Sequence, residues 1–160
     1  MSTKQAILIY GATSLGSSEF SSDLLWATGG YNVPDPVYYC EIDSKKILIL
    51  SSLEIERGEK EARVDEIISH EAYQEKAKKE NIPVIIFFLK ERGVEEVVVP
   101  KTIRYSIGKI LEKYFTVTVR PAPFFAERAV KTKFELHEIV KAQRAVEKAV
   151  GGAVDFLAEC

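Results

Sequence analysis

Cysteine, histidine, methionine and tryptophan are all scarce in this chain of 160 residues: two, two, one and one. Cys40, inside an apolar run, and Cys160, the last residue, form neither a CxxC pair nor a disulfide framework, which points to a reducing, cytoplasmic compartment. Each histidine is followed by glutamate, in His70-Glu71-Ala72-Tyr73-Gln74 and His137-Glu138-Ile139-Val140-Lys141. A zinc-protease helix needs a second histidine four residues after the first, where Gln74 and Lys141 stand, so both read as surface helix residues. An excess of one charge is lacking too: 22 Lys+Arg against 24 Asp+Glu leave −2, which argues against a nucleic acid held by bulk electrostatics. The basic residues are interspersed with glutamate in segments 57–63 and 75–80, as on a solvated face. No apolar run approaches the roughly 20 residues of a membrane span, and AILIYG near the N-terminus is too short for a secretory signal. The expectation is a soluble, cytoplasmic protein with no nucleic-acid or membrane partner.

What the sequence does contain is alternation. Residues 5–12 (QAILIYGA) form an apolar run expected as a strand buried on both faces. A Ser/Gly/Pro-rich stretch with one short amphipathic piece (FSSDLLWATGG) follows, then PVYYCEID (36–43) and KKILILSS (45–52), a hairpin turning at Asp43-Ser44. Helical EIERGEKEA precedes a brief strand, VDEIIS (64–69), and Ser69 is placed to cap a helix over 70–80. Residues 82–93 (IPVIIFFLKERG) favour a strand by composition. The spacing of Ile82, Ile85, Ile86 and Leu89, with Pro83 at the start and Gly93 after the end, predicts a buried helix instead. A strand over 94–100, a helix over 102–115, a strand over 116–121 and an extended connector over 121–131 complete the pattern. The fold class is α/β, with helices packed on a mixed, about six-stranded sheet.

Residues 132–160 read as one long helix. Thr132 with Glu135 makes a capping box, and Leu136, Ile139, Val140, Ala142, Val146, Ala149, Val150, Ala153, Val154 and Leu157 recur at helical spacing. No exit signal precedes Cys160, so this helix is expected to lead into a second domain beyond the sequence.

Catalytic patterns fail one by one. Gly11-Ala-Thr-Ser-Leu-Gly16 follows a strand, but Ser17-Ser18 stand where a Walker loop has Lys then Ser/Thr, and a Rossmann loop needs a third glycine. A turn after the first strand is the plainer reading. The nucleophile elbow G-x-S-x-G is absent, the first strand carries no Asp, and Asp65-Glu66 and Glu95-Glu96 would point to opposite faces of strands. Cys40 in an apolar strand reads as an inert core residue. Trp26, Tyr31, Tyr38 and Tyr39 gather around a Gly/Pro-rich loop, either as core aromatics or, over residues 26–36, as the rim of a binding site. No catalytic and no metal-ligating residues are assigned.

The ordered set of segments nevertheless resembles the non-catalytic N-terminal domain of the creatinase/prolidase/aminopeptidase P family, the pita-bread metallopeptidases that cleave Xaa-Pro bonds. Leu24-Leu25-Trp26-Ala27-Thr28-Gly29-Gly30 is similar to that family's Tyr-Leu-Thr-Gly-Phe segment, with Trp26 and Gly30 in place of Tyr and Phe. Ser51-Ser52-Leu53-Glu54-Ile55-Glu56-Arg57 is similar to the S-x-L-E-x-x-R-A stretch after its hairpin, and Val97-Val98-Val99-Pro100 to the strand ahead of a helix. Arg128-Ala129-Val130-Lys131-Thr132 with Glu135, Ile139, Ala142 and Gln143 resembles the linker that enters its catalytic domain. The resemblance implies a three-layer, ribonuclease H-like domain over residues 1–128, and a linker with the first helix of a catalytic domain over 129–160. It implies a parent enzyme with two divalent metal ions, manganese or cobalt, all five of whose ligands lie beyond this chain, so the chain itself holds no cofactor and is inactive alone. It implies proline-containing short peptides as substrates, a homodimer, and a role for this domain in substrate access, with Trp26, Tyr31 and Asp35 as rim candidates. Two alternatives stand beside it: a stand-alone α/β ligand-binding or interaction domain without peptidase activity, and a catalytically dead, creatinase-like protein whose partner role replaced hydrolysis.

Overall fold

The computed structural model describes residues 3–159; Met1, Ser2 and Cys160, where the two expected segments begin and end, lie outside the described residues. The chain divides into two compact units, the first ending at Phe124 and the second beginning at Phe125.

In the first unit β1 (Gln5–Gly11) lies between β2 (Val37–Ile42), antiparallel to it, and β5 (Glu96–Pro100), parallel to it. β3 (Lys45–Leu50) pairs antiparallel with β2 and parallel with β4 (Glu66–Ser69), while β6 (Thr116–Arg120) pairs parallel with β5. The result is a six-stranded mixed sheet in the order β4-β3-β2-β1-β5-β6. β1 takes a central place because Ala6, Leu8 and Ile9 are fully buried, so both of its faces are covered. β6 keeps a mostly exposed pattern, as an edge strand does.

Register sorts the strand residues onto two faces. Leu8 opposes Cys40 and Cys40 opposes Ile47, and these side chains join one core with Ile85, Ile86, Phe88 and Leu89 of α4 (Val84–Glu91). Leu111 of α5 (Tyr105–Leu111) closes the same core. Leu50 and Ile67 face the other way, towards α2 (Ile55–Glu61), whose Gly58 comes so close that an added Cβ would lie 2.5 Å from Leu50 Cδ1. Helices therefore cover both faces, the three layers the resemblance implies. Each large side chain so buried is worth roughly 1.5–3 kcal/mol.

The hairpin turn puts Asp43 and Ser44 at φ 51° and 63°, the paired left-handed conformation that matches strand twist, and Lys4 Nζ meets Asp43 Oδ2 at 2.8 Å beside it. Pro83 occupies the N-cap of α4 and Gly93 follows it at φ +69°, so turn chemistry overrides the strand-like composition. α3 (His70–Glu80) starts at the Ser69 cap, whose hydroxyl accepts the Ala72 amide at 3.3 Å. α5 is shorter than the 102–115 expected. The Ile103 amide bonds Pro100 O in a preceding turn, and Leu111 O accepts both Tyr114 and Phe115 amides as the chain tightens towards β6.

In the second unit the expected extended connector contains a 3₁₀ turn, Ala126–Ala129, because the Arg128 amide returns to Phe125 O. α6 (Lys133–Ala158) then runs 26 residues, about 39 Å at 1.5 Å per residue. Its capping box is formed in both directions: Glu135 N bonds Thr132 Oγ1 and Thr132 N bonds Glu135 Oε2. Ile139, Val146, Val150 and Val154, spaced along the helix, are all exposed.

Candidate functional site

Every strand except β2 runs in the same direction, so five of them end at one edge of the sheet. The crevice outside the carboxyl ends of strands is where open α/β sheets bind ligands. A cavity of about 280 Å³ opens there. Register builds its walls. Tyr10 near the end of β1 opposes Tyr38 near the start of β2, with ring centroids 4.8 Å apart and planes tilted by 44°. Tyr38 in turn opposes Ile49 of β3, and Val33, Pro36 and Val37 add apolar surface. Asp35 precedes β2, Ser51 follows β3, Glu54 stands just ahead of α2, and His70 begins α3 directly after β4; all four line the cavity. Burial pushes the Tyr38 phenol up to about 12, helped by the neighbouring Tyr10, so it stays protonated at physiological pH.

The loop carrying Asp35 is riveted from beneath. The buried Thr13 hydroxyl donates to Tyr31 O at 2.6 Å and accepts the Val33 amide at 2.7 Å. The Thr13 and Ser14 amides both bond Val33 O, and the Ala12 amide bonds Glu19 O. The amides after β1 are thus taken up in holding two loops together, which removes them from any phosphate-cradling role. Arg57 Nη2 donates to Asn32 O at 2.7 Å, and its guanidinium lies 5.1 Å from the Tyr31 ring centroid. Tyr31 donates its hydroxyl to Glu54 Oε2 at 2.7 Å; burial, and then this carboxylate, push the phenol up.

Of the three rim candidates, Asp35 alone lines the cavity, as an exposed residue. Tyr31 is only 1% exposed, with its ring inside the fold and its hydroxyl on the Glu54–Arg57 pair. Trp26 is half-exposed on α1 (Ser22–Ala27) and is not a lining residue. Tyr10, Tyr38, Ser51, Glu54 and His70 were not singled out as site residues from sequence. The strand-end positions of Tyr10 and Ser51 were a usable signal, whereas the meeting of Tyr10 with Tyr38 depends on register. The failed zinc motif points to a surface position for His70, whereas as the first residue of α3 it is half-buried.

Elsewhere the candidate chemistry is absorbed into structure. Glu66 takes both Arg92 Nη atoms, at 2.6 and 3.1 Å, and Asp65 Oδ2 accepts the Lys46 amide at 2.7 Å. Cys40 is fully buried, and burial pushes its thiol far above the reactive range. Among the described residues no group of three or more His, Cys, Asp or Glu side chains is placed to hold a metal ion, so they do not fit the metal pair that the resemblance implies for the parent enzyme. No helix among them is long and apolar enough to cross a membrane.

No model of a protein family matches the sequence, and no curated protein matches it. Solved structures do match. Prolidase from Pyrococcus furiosus shares the fold with a TM-score of 0.63 at 17% identity, over 94% of this chain and 39% of that one. The prolidase from Pyrococcus horikoshii gives 0.64 at 17% identity, over 95% and 38%. An X-Pro aminopeptidase from Thermotoga maritima gives 0.66 at 13% identity, over 95% and 41%. The chain therefore has the fold of part of the prolidases and Xaa-Pro aminopeptidases, as the resemblance implied, and spans about two fifths of the length of these proteins.

Proposed function

We propose that this chain is the non-catalytic N-terminal domain of an Xaa-Pro aminopeptidase or dipeptidase, with residues 1–128 as that domain and 129–160 as the linker and first helix towards the catalytic part. One observation carries the reading: nearly the whole chain shares its fold with about two fifths of enzymes whose names specify Xaa-Pro or prolidase activity. The ordered segments from Leu24 to Gln143 support it from the sequence side. On this reading hydrolysis of proline-containing short peptides, and the two divalent metal ions that activate water for it, manganese or cobalt, belong to the catalytic domain. The present domain shapes access to that site, contributes to a homodimer, and works in the cytoplasm.

The test compares the isolated 160-residue chain with the natural gene product containing these residues. Both are given Xaa-Pro dipeptides and tripeptides with manganese or cobalt. Hydrolysis by the gene product and none by the isolated chain is the expected result. Chelator-sensitive turnover by the isolated chain overturns the non-catalytic assignment, and a gene product inactive on every Xaa-Pro peptide overturns the peptidase reading in favour of a catalytically dead, creatinase-like protein or a stand-alone interaction domain.

A further inference from the structure

The cavity at the strand ends combines unpartnered polar groups with an apolar wall. Around it most acidic groups are engaged: Glu54 with Arg57, Glu19 with Arg104, and Glu71 with the Ser52 amide and hydroxyl. Asp35 has no hydrogen bond or ion pair among the described residues, and neither the Ser51 hydroxyl nor the His70 imidazole has a partner there. A few convergent polar groups over apolar and aromatic surface is the usual make-up of a small-molecule site, and about 280 Å³ lies at the lower end of such volumes.

Charge selects the ligand. Of the two carboxylates in the lining, Glu54 is offset by Arg57 at 2.5 Å and Asp35 is left as the one unpaired charge, with no lysine or arginine among the described lining residues. Arg104 lies 5.6 Å from the Tyr10 ring centroid, but its guanidinium is turned to Glu19. An anion would therefore meet like charge. A metal ion lacks a third ligand, since no such group of side chains is assembled. Arg104 already lies over the Tyr10 ring, so the Tyr10–Tyr38 pair offers aromatic surface for the apolar body of a ligand rather than for its charge.

The geometry points to a binding site for a primary ammonium on a small apolar or aromatic body, with the ammonium at Asp35 and Ser51 and the body against Tyr10, Tyr38 and Ile49. A free amine and the amino terminus of a peptide share this chemistry. The site stands on the residues of the first unit alone, so its failure leaves the peptidase-domain reading, which stands on the fold, untouched.

Binding is measured by amide-shift titration of the full 160-residue chain near neutral pH and at low salt. 2-Phenylethylamine is expected to shift residues 33–38 and 49–51 saturably, and the neutral 2-phenylethanol to bind about two- to fivefold more weakly, the range of one partly exposed ion pair. Asp35→Asn, a change at an exposed position, brings the amine down to the affinity of the alcohol. Phe-Gly-Gly and its N-acetyl form distinguish the sources: binding of the free peptide but not the acetylated one identifies a peptide amino terminus, and binding of the amine alone identifies a small amine. Equal binding of amine and alcohol, unchanged affinity in Asp35→Asn, or no saturable shift in the strand-end residues overturns the site.

Discussion

The two ends of the sheet are built differently. At the amino end of the parallel strands polar groups find each other: Lys4 meets Asp43, Asp65 takes the Lys46 amide, Arg92 grips Glu66 with two bonds, and Glu96 accepts the Thr118 hydroxyl. At the carboxyl end Thr13, Tyr31, Glu54 and Arg57 form a supporting layer, and above it Asp35, Ser51 and His70 have no partner among the described residues. The amino end is tied by these polar pairs, while the carboxyl end, beside its own pairs Glu19–Arg104 and Glu71–Ser52, leaves these three side chains open. Within the carboxyl end, support and site are separate residues, and substitutions can tell them apart.

The largest effect is expected from the support. Thr13→Val keeps the volume but leaves the Val33 amide and the Tyr31 carbonyl short of their buried partner. Each such loss costs about 1–3 kcal/mol, so with two of them the free energy of urea unfolding should fall by about 2 kcal/mol or more, and the Asp35 loop should gain hydrogen exchange. A variant as stable as the parent would mean the supporting layer does not fix the site. The amino end comes next. Arg92→Ala removes a two-bond ion pair whose side chains are 29% and 38% exposed, so solvent screening limits the loss to about 1 kcal/mol. The guanidinium also lies 5.0 Å from the Phe88 ring centroid, and that contact goes with it. An unchanged midpoint in Arg92→Ala would show that the closed end contributes order without stability.

This division of labour explains what sequence could and could not disclose. The elements followed from local rules: the Ser69 cap, the Thr132–Glu135 box and the Pro83/Gly93 bracket each act within a few residues of where they are read. The three layers followed because strands alternate with helices. Of the site only Asp35 followed, because Tyr10, Ser51 and His70 belong to other segments that strand register, the Thr13-held loop and the start of α3 bring beside it. Tyr31 shows the limit most plainly. A tyrosine beside a Gly-Gly pair suits a loop rim or a core equally, and only the distant Glu54 hydroxyl acceptor and the Arg57 guanidinium make it interior.

A smaller effect should appear at acid pH. The Ser52 hydroxyl, the amide of Glu71 itself and the Ser52 amide hold the Glu71 carboxyl below the ordinary glutamate range. A carboxyl with a lowered folded pKa contributes stability above its unfolded value, about 4.3, and loses it as pH falls through the folded value. Glu71→Gln removes that contribution, so parent and variant should differ by at most about 0.5 kcal/mol near neutrality and converge as the pH drops below 4. Curves that stay parallel to the lowest pH would show that the exposed carboxylate is not part of the link between β4 and the turn after β3.

The smallest effect is the one that decides what the open groups are for. Asp35→Asn and His70→Gln change side chains that make no hydrogen bond or ion pair among the described residues, so neither removes an interaction from the folded state. Surface changes away from such interactions usually stay within about 0.5 kcal/mol, and both melting midpoints should match the parent. Asp35→Asn should at the same time weaken ammonium binding, because the charge is lost while the shape is kept. In the parent peptidase the proposed reading adds a second readout: Asp35→Ala should raise KM for short peptides without lowering the melting temperature. A variant that lowers the melting temperature and loses more than about 1 kcal/mol of stability, with KM unchanged, would make Asp35 one more element of the scaffold. The carboxyl end would then differ from the amino end in geometry alone.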